Sequence, residues 1–336
     1  MARKSLFQTE TWEEFKLQTG YQKSYRVDGV LVLQKNLPLG RSMLYSPMVG
    51  SQEVGRITNQ ELRIKNNEAD RQVSGSASQR VGNGLEIKSS FIDQIREIGK
   101  REKAIFYRLE LDIPIHNSSF IIHDPNFIKA FEEMQPEHTR IVDISRSEEE
   151  ILSQMKPKGR YNIKVAEKHQ VKVRPGTIDN FYKLYEKMAR RQKISFRNRN
   201  YFQKLVDILA AKEYLFLFEA YFFNGTQETV LAAAIITFFE GRATYLFGGS
   251  SDEQKNLMAP YKLHWEIIRA AKERNCCQYD LFGIAPPTEP NHPWRGVTDF
   301  KEKFGGHAVA LAGSFDLIFR PIEYQLFRLA EKIRKH

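Results

Sequence analysis

Apolar and polar positions along the chain alternate between a period of about two and a period near 3.6, which predicts an α/β protein. In the second half, an Asn224-Gly225 turn separates two apolar strands, a third strand follows, and a helix over Tyr261–Asn275 precedes a fourth. The four predicted strands are Tyr214–Phe223, Val230–Phe239, Ala243–Gly248 and Gln278–Gly283. A helix between two strands of one sheet implies a right-handed crossover, so we expect the last two strands to pair in parallel.

The first half has a strand, helix and strand unit of its own, in which Ile92, Ile95 and Ile98 recur at helical spacing. A second unit begins with a helix that Ser147 caps, because Glu150 stands at the third helical position and completes a capping box. Mixed sheets in which a crossover helix joins two parallel strands form the core of the acetyltransferase-like (GNAT) fold. We therefore predict the class α/β (α+β), with two tandem acetyltransferase-like domains.

The predicted domains cover residues 1–145 and 146–336, which suits a chain of 336 residues. A polar stretch at about 51–84 is rich in Ser, Asn, Gln, Arg and Gly, and we interpret it as an insert in the first domain. We also predict a short helix over Asn126–Phe131.

Composition excludes several classes of protein. The basic N-terminus has no apolar stretch behind it, so we do not expect a secretory signal peptide. No apolar run approaches the roughly 18–20 residues of a membrane span, so we do not expect a membrane-spanning helix. The only two cysteines are adjacent, at Cys276 and Cys277, which excludes a disulfide scaffold and a Cys-based zinc cage. We therefore expect a cytoplasmic protein with two free thiols.

The positive charge is concentrated in one segment. Lys156–Lys204 contains 15 Lys and Arg against three acidic residues, a net charge of +12, so the rest of a chain of +10 carries 10 − 12 = −2. Aromatic residues are interleaved with these basic residues. A field of this kind attracts polyanions, such as nucleic acid, pyrophosphate or anionic lipid headgroups, although a solvated helix face would have the same composition.

Four blocks of sequence, in a fixed order, carry a resemblance to a known family. They are the Trp-containing opening Phe7–Lys16, the basic block Lys158–Val171, the helix and strand Ala259–Arg274 with Tyr279–Ile284, and the closing segment Gly296–Gly306. Together they resemble the Fem family of peptidoglycan bridge-forming aminoacyltransferases. The chain departs from the family pattern at Met48, where relatives often have an arginine, and at His169-Gln170 before Val171.

The resemblance implies an activity and its partners. Members transfer an amino acid from aminoacyl-tRNA to an amino group on the stem peptide of a peptidoglycan precursor, which is lipid-linked or nucleotide-linked. Because the ester of aminoacyl-tRNA is already activated, the enzyme needs to position two polyanions and stabilise an oxyanion, without a covalent nucleophile. The resemblance therefore implies no metal and no cofactor, and a lipid-linked precursor implies peripheral contact with the inner face of the membrane.

The resemblance also implies site residues. Lys301 and Phe300 border the transfer site in the family, so we expect Lys301 to stabilise the oxyanion or anchor the terminal adenosine of the tRNA. Arg197 and Tyr201 match the spacing of a diphosphate-binding pair, one helical turn apart. Further substrate-binding candidates are Lys158, Arg160, Lys164, Tyr261 and Arg108.

Two other functions stay open at this point. One is an acetyltransferase-like N-acyltransferase acting on another substrate, although the loop Gly248–Pro260 lacks the glycine-rich turn that would hold a coenzyme A pyrophosphate. The other is a non-catalytic RNA-binding module that uses the basic segment.

Overall fold

The computed structural model describes residues 3–58, 84–115, 121–122, 125–192 and 196–335. The chain forms two compact units, of which unit 1 comprises Met1–Glu137 with Ala310–His336 and unit 2 comprises His138–Val309.

The first part of unit 1 contains three helices and seven strands among its described residues. The helices are α1 (Glu10–Gln18), α2 (Ser51–Ile57) and α3 (Ser89–Arg101). The strands are β1 (Lys23–Val27), β2 (Val30–Leu37), β3 (Arg41–Gly50), β4 (Gly84–Leu85), β5 (Ala104–Ile115), β6 (Ile121–Ile122) and β7 (Phe127–Lys129).

Unit 2 follows with six strands and six helices among its described residues. The strands are β8 (His138–Asp143), β9 (Lys172–Pro175), β10 (Leu215–Phe223), β11 (Glu228–Phe239), β12 (Arg242–Ser250) and β13 (Gln278–Asp280). The helices are α4 (Glu148–Gln154), α5 (Pro157–Lys168), α6 (Ile178–Arg191), α7 (Arg199–Ala210), α8 (Ala259–Glu273) and α9 (Arg295–Lys301). The chain then continues through β14 (His307–Ile318) and ends in α10 (Pro321–Lys335).

Each unit has a mixed sheet. In unit 1 the order is β1-β2-β3-β5-β14, with β3 and β5 parallel and the other neighbours antiparallel. In unit 2 the order is β8-β13-β12-β11-β10-β9, with β12 and β13 parallel and the other neighbours antiparallel. The parallel strands β12 and β13 stand on either side of α8 in the chain, so the predicted parallel pairing is confirmed, as is the mixed α/β class.

The division into units differs from the predicted boundary between residues 145 and 146. Residues from Ala310 onward pack in unit 1, because β14 pairs with β5 and places Asp316 opposite Arg108. The buried Tyr324 of α10 then donates a hydrogen bond to Asp316 Oδ2 at 2.7 Å, which ties the C-terminal helix to the same unit.

Of the local predictions, one is confirmed, one is wrong, and one falls mostly outside the described residues. The capping box at Ser147 and Glu150 is present at the start of α4. The predicted helix over Asn126–Phe131 is wrong, because Phe127–Lys129 pairs with β14 as a strand. The polar insert begins with helix α2, and most of it, residues 59–83, lies outside the described residues.

No helix in the described part of the chain combines the length and apolar character needed to cross a membrane.

Candidate active site

Lys301 ends helix α9 in unit 2, and its side chain is buried, with only 6% of the residue exposed. Its ammonium donates hydrogen bonds to the carbonyl oxygens of Phe282 and Gly283, at 3.1 and 2.6 Å. Phe282 has a φ of +57°, a left-handed conformation that is uncommon for a residue other than glycine. The turn after β13 thus aims two consecutive carbonyls at one cation.

Burial changes the ionisation of this lysine. It lowers the pKa of Lys301 from its ordinary value of 10.5 to about 8, because a charged group loses hydration, while the charge of Asp280 acts in the opposite direction. The ammonium therefore remains the major form near neutral pH and is lost as the pH rises through about 8.

Asp280, at the end of β13, holds the turn beneath Lys301. Its Oδ1 accepts a hydrogen bond from the Phe282 N–H at 2.8 Å and another from the Thr139 hydroxyl. Its Oδ2 accepts one from Arg242 Nη1 at 3.1 Å. The hydrogen bond from the Phe282 N–H to Asp280 helps to hold Phe282 in its left-handed conformation.

Aromatic rings pack around Phe300, which directly precedes Lys301 in the chain. The Phe300 ring lies 5.2 Å from Tyr261, 5.3 Å from Phe304 and 5.4 Å from His264, measured between centroids. Phe300 is half-buried, so one part of its ring closes this cluster and another part faces outward. The Lys301 ammonium itself lies 5.6 Å from the centre of the Tyr245 ring, and in such a buried position a charge interacts more strongly than in water.

His264 belongs to the same cluster, where its Nδ1 lies 2.7 Å from the Tyr279 hydroxyl. Burial, together with the nearby charge of Lys301, lowers the pKa of His264 from 6.5 to about 3. The ring is therefore neutral at physiological pH and is a very weak base. It packs against Tyr245 at 4.7 Å and serves to shape the site.

Helices α5 and α8 bring further predicted residues to this region. Tyr261, in the first turn of α8, is buried and hydrogen-bonds to the amide of Asn162 on α5. Lys158 and Lys164 are exposed on α5. Arg160 is half-buried, and its Nη1 donates to backbone carbonyls at the end of α4, including that of Met155.

Arg197 and Tyr201 are in contact, although not as predicted. Arg197 precedes Asn198, the N-cap of α7, so it lies outside the helix and the two residues are not separated by one helical turn. The guanidinium of Arg197 nevertheless lies 5.0 Å from the centre of the Tyr201 ring. Arg197 is exposed and Tyr201 is half-buried, which leaves the guanidinium edge accessible to an anion.

Arg108 lies in the interior of unit 1 and forms a bidentate ion pair with Asp316, at 2.7 and 2.8 Å. The guanidinium also stacks near the rings of Phe106 and Phe131, at 5.2 and 5.1 Å. Hydrogen bonds and charge attraction from Asp316 raise the pKa of Arg108 against the opposing effect of its burial. Because its planar fork is engaged, this arginine stabilises unit 1.

Acidic neighbours neutralise part of the basic segment Lys156–Lys204. Arg174 is paired with Glu219 and Glu228, and Arg199 is paired with Asp179. Other basic residues of the segment in salt bridges are Lys156, Lys187, Arg190 and Arg191. The accessible positive field is therefore smaller than the count from sequence and includes the exposed side chains of α5.

Among the residues that the structure describes, no group of three or more His, Cys, Asp or Glu side chains is placed to hold a metal ion.

Comparison with known proteins identifies the family. The sequence profile described as the FemAB family matches residues 123–224 and 216–332, which is more than half of the chain. The chain belongs to the FemAB family. The resemblance predicted from the four sequence blocks is thereby confirmed.

Curated relatives of this FemAB-family chain match it over different lengths. Aminoacyltransferase FemB of Staphylococcus epidermidis is 30% identical over 90 residues, which is 27% of this chain and 22% of that protein. The chain thus spans about a fifth of the length of the first relatives it matches. Lipid II:glycine glycyltransferase of Staphylococcus haemolyticus is 20% identical over 308 residues, covering 70% of this chain and 74% of that protein.

Solved structures share the fold of this FemAB-family chain. The crystal structure of FemX superposes with a TM-score of 0.72 at 18% identity, covering 96% of this chain and 94% of that one. The C-terminal domain of a putative lysylphosphatidylglycerol synthetase from Agrobacterium fabrum gives a TM-score of 0.51 at 10% identity, over 95% of each chain.

Sequence reasoning missed three residues of the site in this FemAB-family chain. They are Thr139, Arg242 and Asp280. Asp280 stands inside the block Tyr279–Ile284 that carries the resemblance, so its position was available as a signal. Thr139 and Arg242 gave no such signal, because each reaches Asp280 only through strand pairing around β13.

Proposed function

We propose that this protein transfers an amino acid from aminoacyl-tRNA to an amino group on the stem peptide of a peptidoglycan precursor. The observation that carries the proposal is the buried ammonium of Lys301, held beside Phe300 in a chain of the FemAB family. The names of the relatives, an aminoacyltransferase and a lipid II:glycine glycyltransferase, support this class of reaction.

The reaction is the aminolysis of an ester. The amine nitrogen of the acceptor attacks the ester carbonyl carbon, and the carbonyl oxygen becomes an oxyanion. The bond from that carbon to the ribose oxygen then breaks, and the amine proton is transferred to the departing oxygen. Since the ester is reactive and His264 is too weak a base, orientation and charge stabilisation supply the catalysis.

Lys301 would stabilise the oxyanion. An ammonium has three N–H donors, and Lys301 directs two of them to the Phe282 and Gly283 carbonyls. We assign the third donor to the oxyanion. The two carbonyls fix the ammonium in place before the reaction, so no reorganisation is needed when charge develops. Phe300 would line the surface against which the reacting ester rests.

Arg197 and Tyr201 would bind the diphosphate of the precursor. The guanidinium of Arg197 presents a planar fork suited to two phosphate oxygens, and the Tyr201 ring supports it from one side at 5.0 Å. The exposed Lys158 and Lys164 of α5 would attract the phosphates of the tRNA. Arg160 would contribute by holding the end of α4 against α5.

Replacing Arg197 by alanine is expected to weaken binding of a nucleotide-linked precursor by roughly tenfold or more, because hydrogen bonds to a charged group are lost. The melting temperature should not change, since Arg197 is exposed. Isothermal titration calorimetry measures the affinity. Arg199→Ala is the matched control, because Arg199 is exposed two residues away and is paired with Asp179. Equal affinity of the Arg197 variant and the wild type would remove Arg197 from the binding site.

The function itself is tested by product formation. The protein is incubated with a mixture of charged tRNAs and a stem-peptide precursor, and the precursor is examined by mass spectrometry. An increase equal to one or more aminoacyl residues, absent when the tRNA is uncharged, is the expected result. Formation of an acyl product from an acyl-coenzyme A instead, with none from charged tRNA, would favour an N-acyltransferase.

A further inference from the structure

The last helix of unit 1, α10, exposes an apolar stripe. Ile322, Leu326, Leu329 and Ile333 are spaced four, three and four residues apart, so they share one helix face. Each of them is between 56% and 80% exposed. At about 1.5 Å per residue the stripe runs for roughly 16 Å along the helix. Large aliphatic residues that are aligned and this exposed indicate an interaction surface, unlike isolated apolar residues.

The opposite face of α10 is anchored to unit 1. Tyr324 is fully buried and donates its hydrogen bond to Asp316, and its ring packs against Phe106 at 5.3 Å. Phe327 also packs against Phe106, at 5.4 Å. The helix is therefore already formed and oriented, with the stripe directed away from its own unit.

Charge around the stripe is positive. Residues 320–336 contain five Lys and Arg against two Glu, a net charge of 5 − 2 = +3. The charge of Glu323 is met by Arg41, through a bidentate contact, and by Arg320 at 3.3 Å. Lys332 is exposed on the flank of the stripe, whereas the guanidinium of Arg328 lies over the rings of Phe131 and Tyr324, at 5.5 and 5.9 Å, on the anchored side of the helix. An aliphatic stripe on a segment of net positive charge is complementary to an anionic lipid surface, into which apolar groups insert while cations meet the headgroups.

We infer that α10 is a membrane-docking helix, which lies in the plane of an anionic phospholipid surface and inserts the stripe Ile322, Leu326, Leu329 and Ile333. The inference rests on the proposed function for its biological meaning, because a lipid-linked precursor is confined to a membrane surface. It assigns the membrane contact to unit 1 and to side chains that play no part in the chemistry at Lys301.

The inference is tested by sedimentation with vesicles. The full chain is mixed with vesicles of equal parts phosphatidylglycerol and phosphatidylcholine, or of phosphatidylcholine alone. We expect binding to the anionic vesicles that the double variant Leu326→Asn/Leu329→Asn weakens by roughly tenfold or more. Phe223→Asn is the matched control, because Phe223 is an apolar residue that is 57% exposed at the end of β10, in unit 2. Lys332→Gln should weaken binding to anionic vesicles more than binding to neutral ones.

Two results would overturn the inference. One is binding of the double variant equal to that of the wild type. The other is no binding of the wild type to the anionic vesicles. A dimer that the double variant dissociates in analytical ultracentrifugation would in that case show that a second copy of the chain covers the stripe. Transfer to a soluble nucleotide-linked precursor separates this proposal from the proposed function. The double variant should retain that transfer. Failure of the wild type to transfer would contradict the proposed function, but it would not change the vesicle-binding result, which tests the docking of α10.

Discussion

Replacing Lys301 by methionine is expected to lower the turnover number by about a hundred- to a thousandfold, the effect of losing one oxyanion donor. Methionine keeps much of the alkyl stem but removes the ammonium. Because the oxyanion develops only in the transition state, affinity for the precursor should stay close to that of the wild type. Single-turnover transfer from charged tRNA, measured beside precursor affinity, checks both parts.

Stability should change much less than the rate. A pKa lowered from 10.5 to about 8 corresponds to about 3 kcal/mol, which Lys301→Met recovers because no buried charge remains. The variant leaves the Phe282 and Gly283 carbonyls without their donor, at about 1–3 kcal/mol each, so the two effects largely offset each other. Between about pH 8 and 10.5 the unfolded chain binds more protons at Lys301 than the folded chain, so wild-type stability should rise with pH relative to the variant.

Lys212→Met is the control for a lost positive charge, because Lys212 is exposed after α7 and has no proposed role. It should leave turnover unchanged. Wild-type turnover in Lys301→Met would mean that backbone donors and the substrates alone stabilise the oxyanion. If tRNA binding were abolished while chemistry on bound tRNA persisted, Lys301 would instead anchor the terminal nucleotide.

The hydrophobic pattern of the sequence was sufficient to predict much of the secondary structure and strand pairing of unit 2. The Asn224-Gly225 turn, the strands beside it and the amphipathic helix α8 are local features, and a helix between two strands of one sheet predicts that β12 and β13 are parallel. The return of β14 to β5 could not be predicted in this way, because it joins segments about 200 residues apart. The strand Phe127–Lys129 was mistaken for a helix because a segment this short has no periodicity, and its pairing with β14 decides its conformation.

Only part of the candidate active site could be predicted from the sequence. Lys301 and Phe300 were found through the resemblance, which says nothing of burial or of the two carbonyls that hold the ammonium. A left-handed Phe282 has no local sequence signal, since glycine or asparagine is usual in that conformation. Similarly, an arginine such as Arg108 is a reasonable candidate for binding phosphate when only the sequence is known. Its ion pair with Asp316, 208 positions away in the chain, shows that its guanidinium is already bonded inside unit 1.

Replacing Asp280 by asparagine is expected to destabilise the protein and to shift the pH dependence of transfer. Asparagine keeps an oxygen for the Phe282 N–H and the Thr139 hydroxyl, but it removes the charge that pairs with Arg242, whose side chain is 14% exposed. Removing one partner of a largely buried ion pair costs about 3–5 kcal/mol, and we expect the lower end of that range. Urea unfolding of the variant and the wild type measures this difference.

The pH dependence carries the sharper test. If the ammonium of Lys301 is the active form, wild-type transfer should decline as the pH rises through about 8. Because burial lowers the pKa of Lys301 and the charge of Asp280 partly opposes that effect, Asp280→Asn should move the decline to lower pH. Asp299→Asn is the matched control, since Asp299 is an exposed carboxylate on the same helix as Lys301 and is paired with Arg295. That control should leave the decline in place.

A merely structural role for Asp280 would lower stability and activity at every pH and leave the position of the decline unchanged. The profile is therefore measured as kcat/KM below the unfolding temperature of each variant, so that only folded protein contributes. Adding Lys301→Met to Asp280→Asn supplies the last comparison, because the double variant has no ammonium at this position. Its residual rate should be independent of pH around 8, and a decline that persists there would assign the titration to a group other than Lys301.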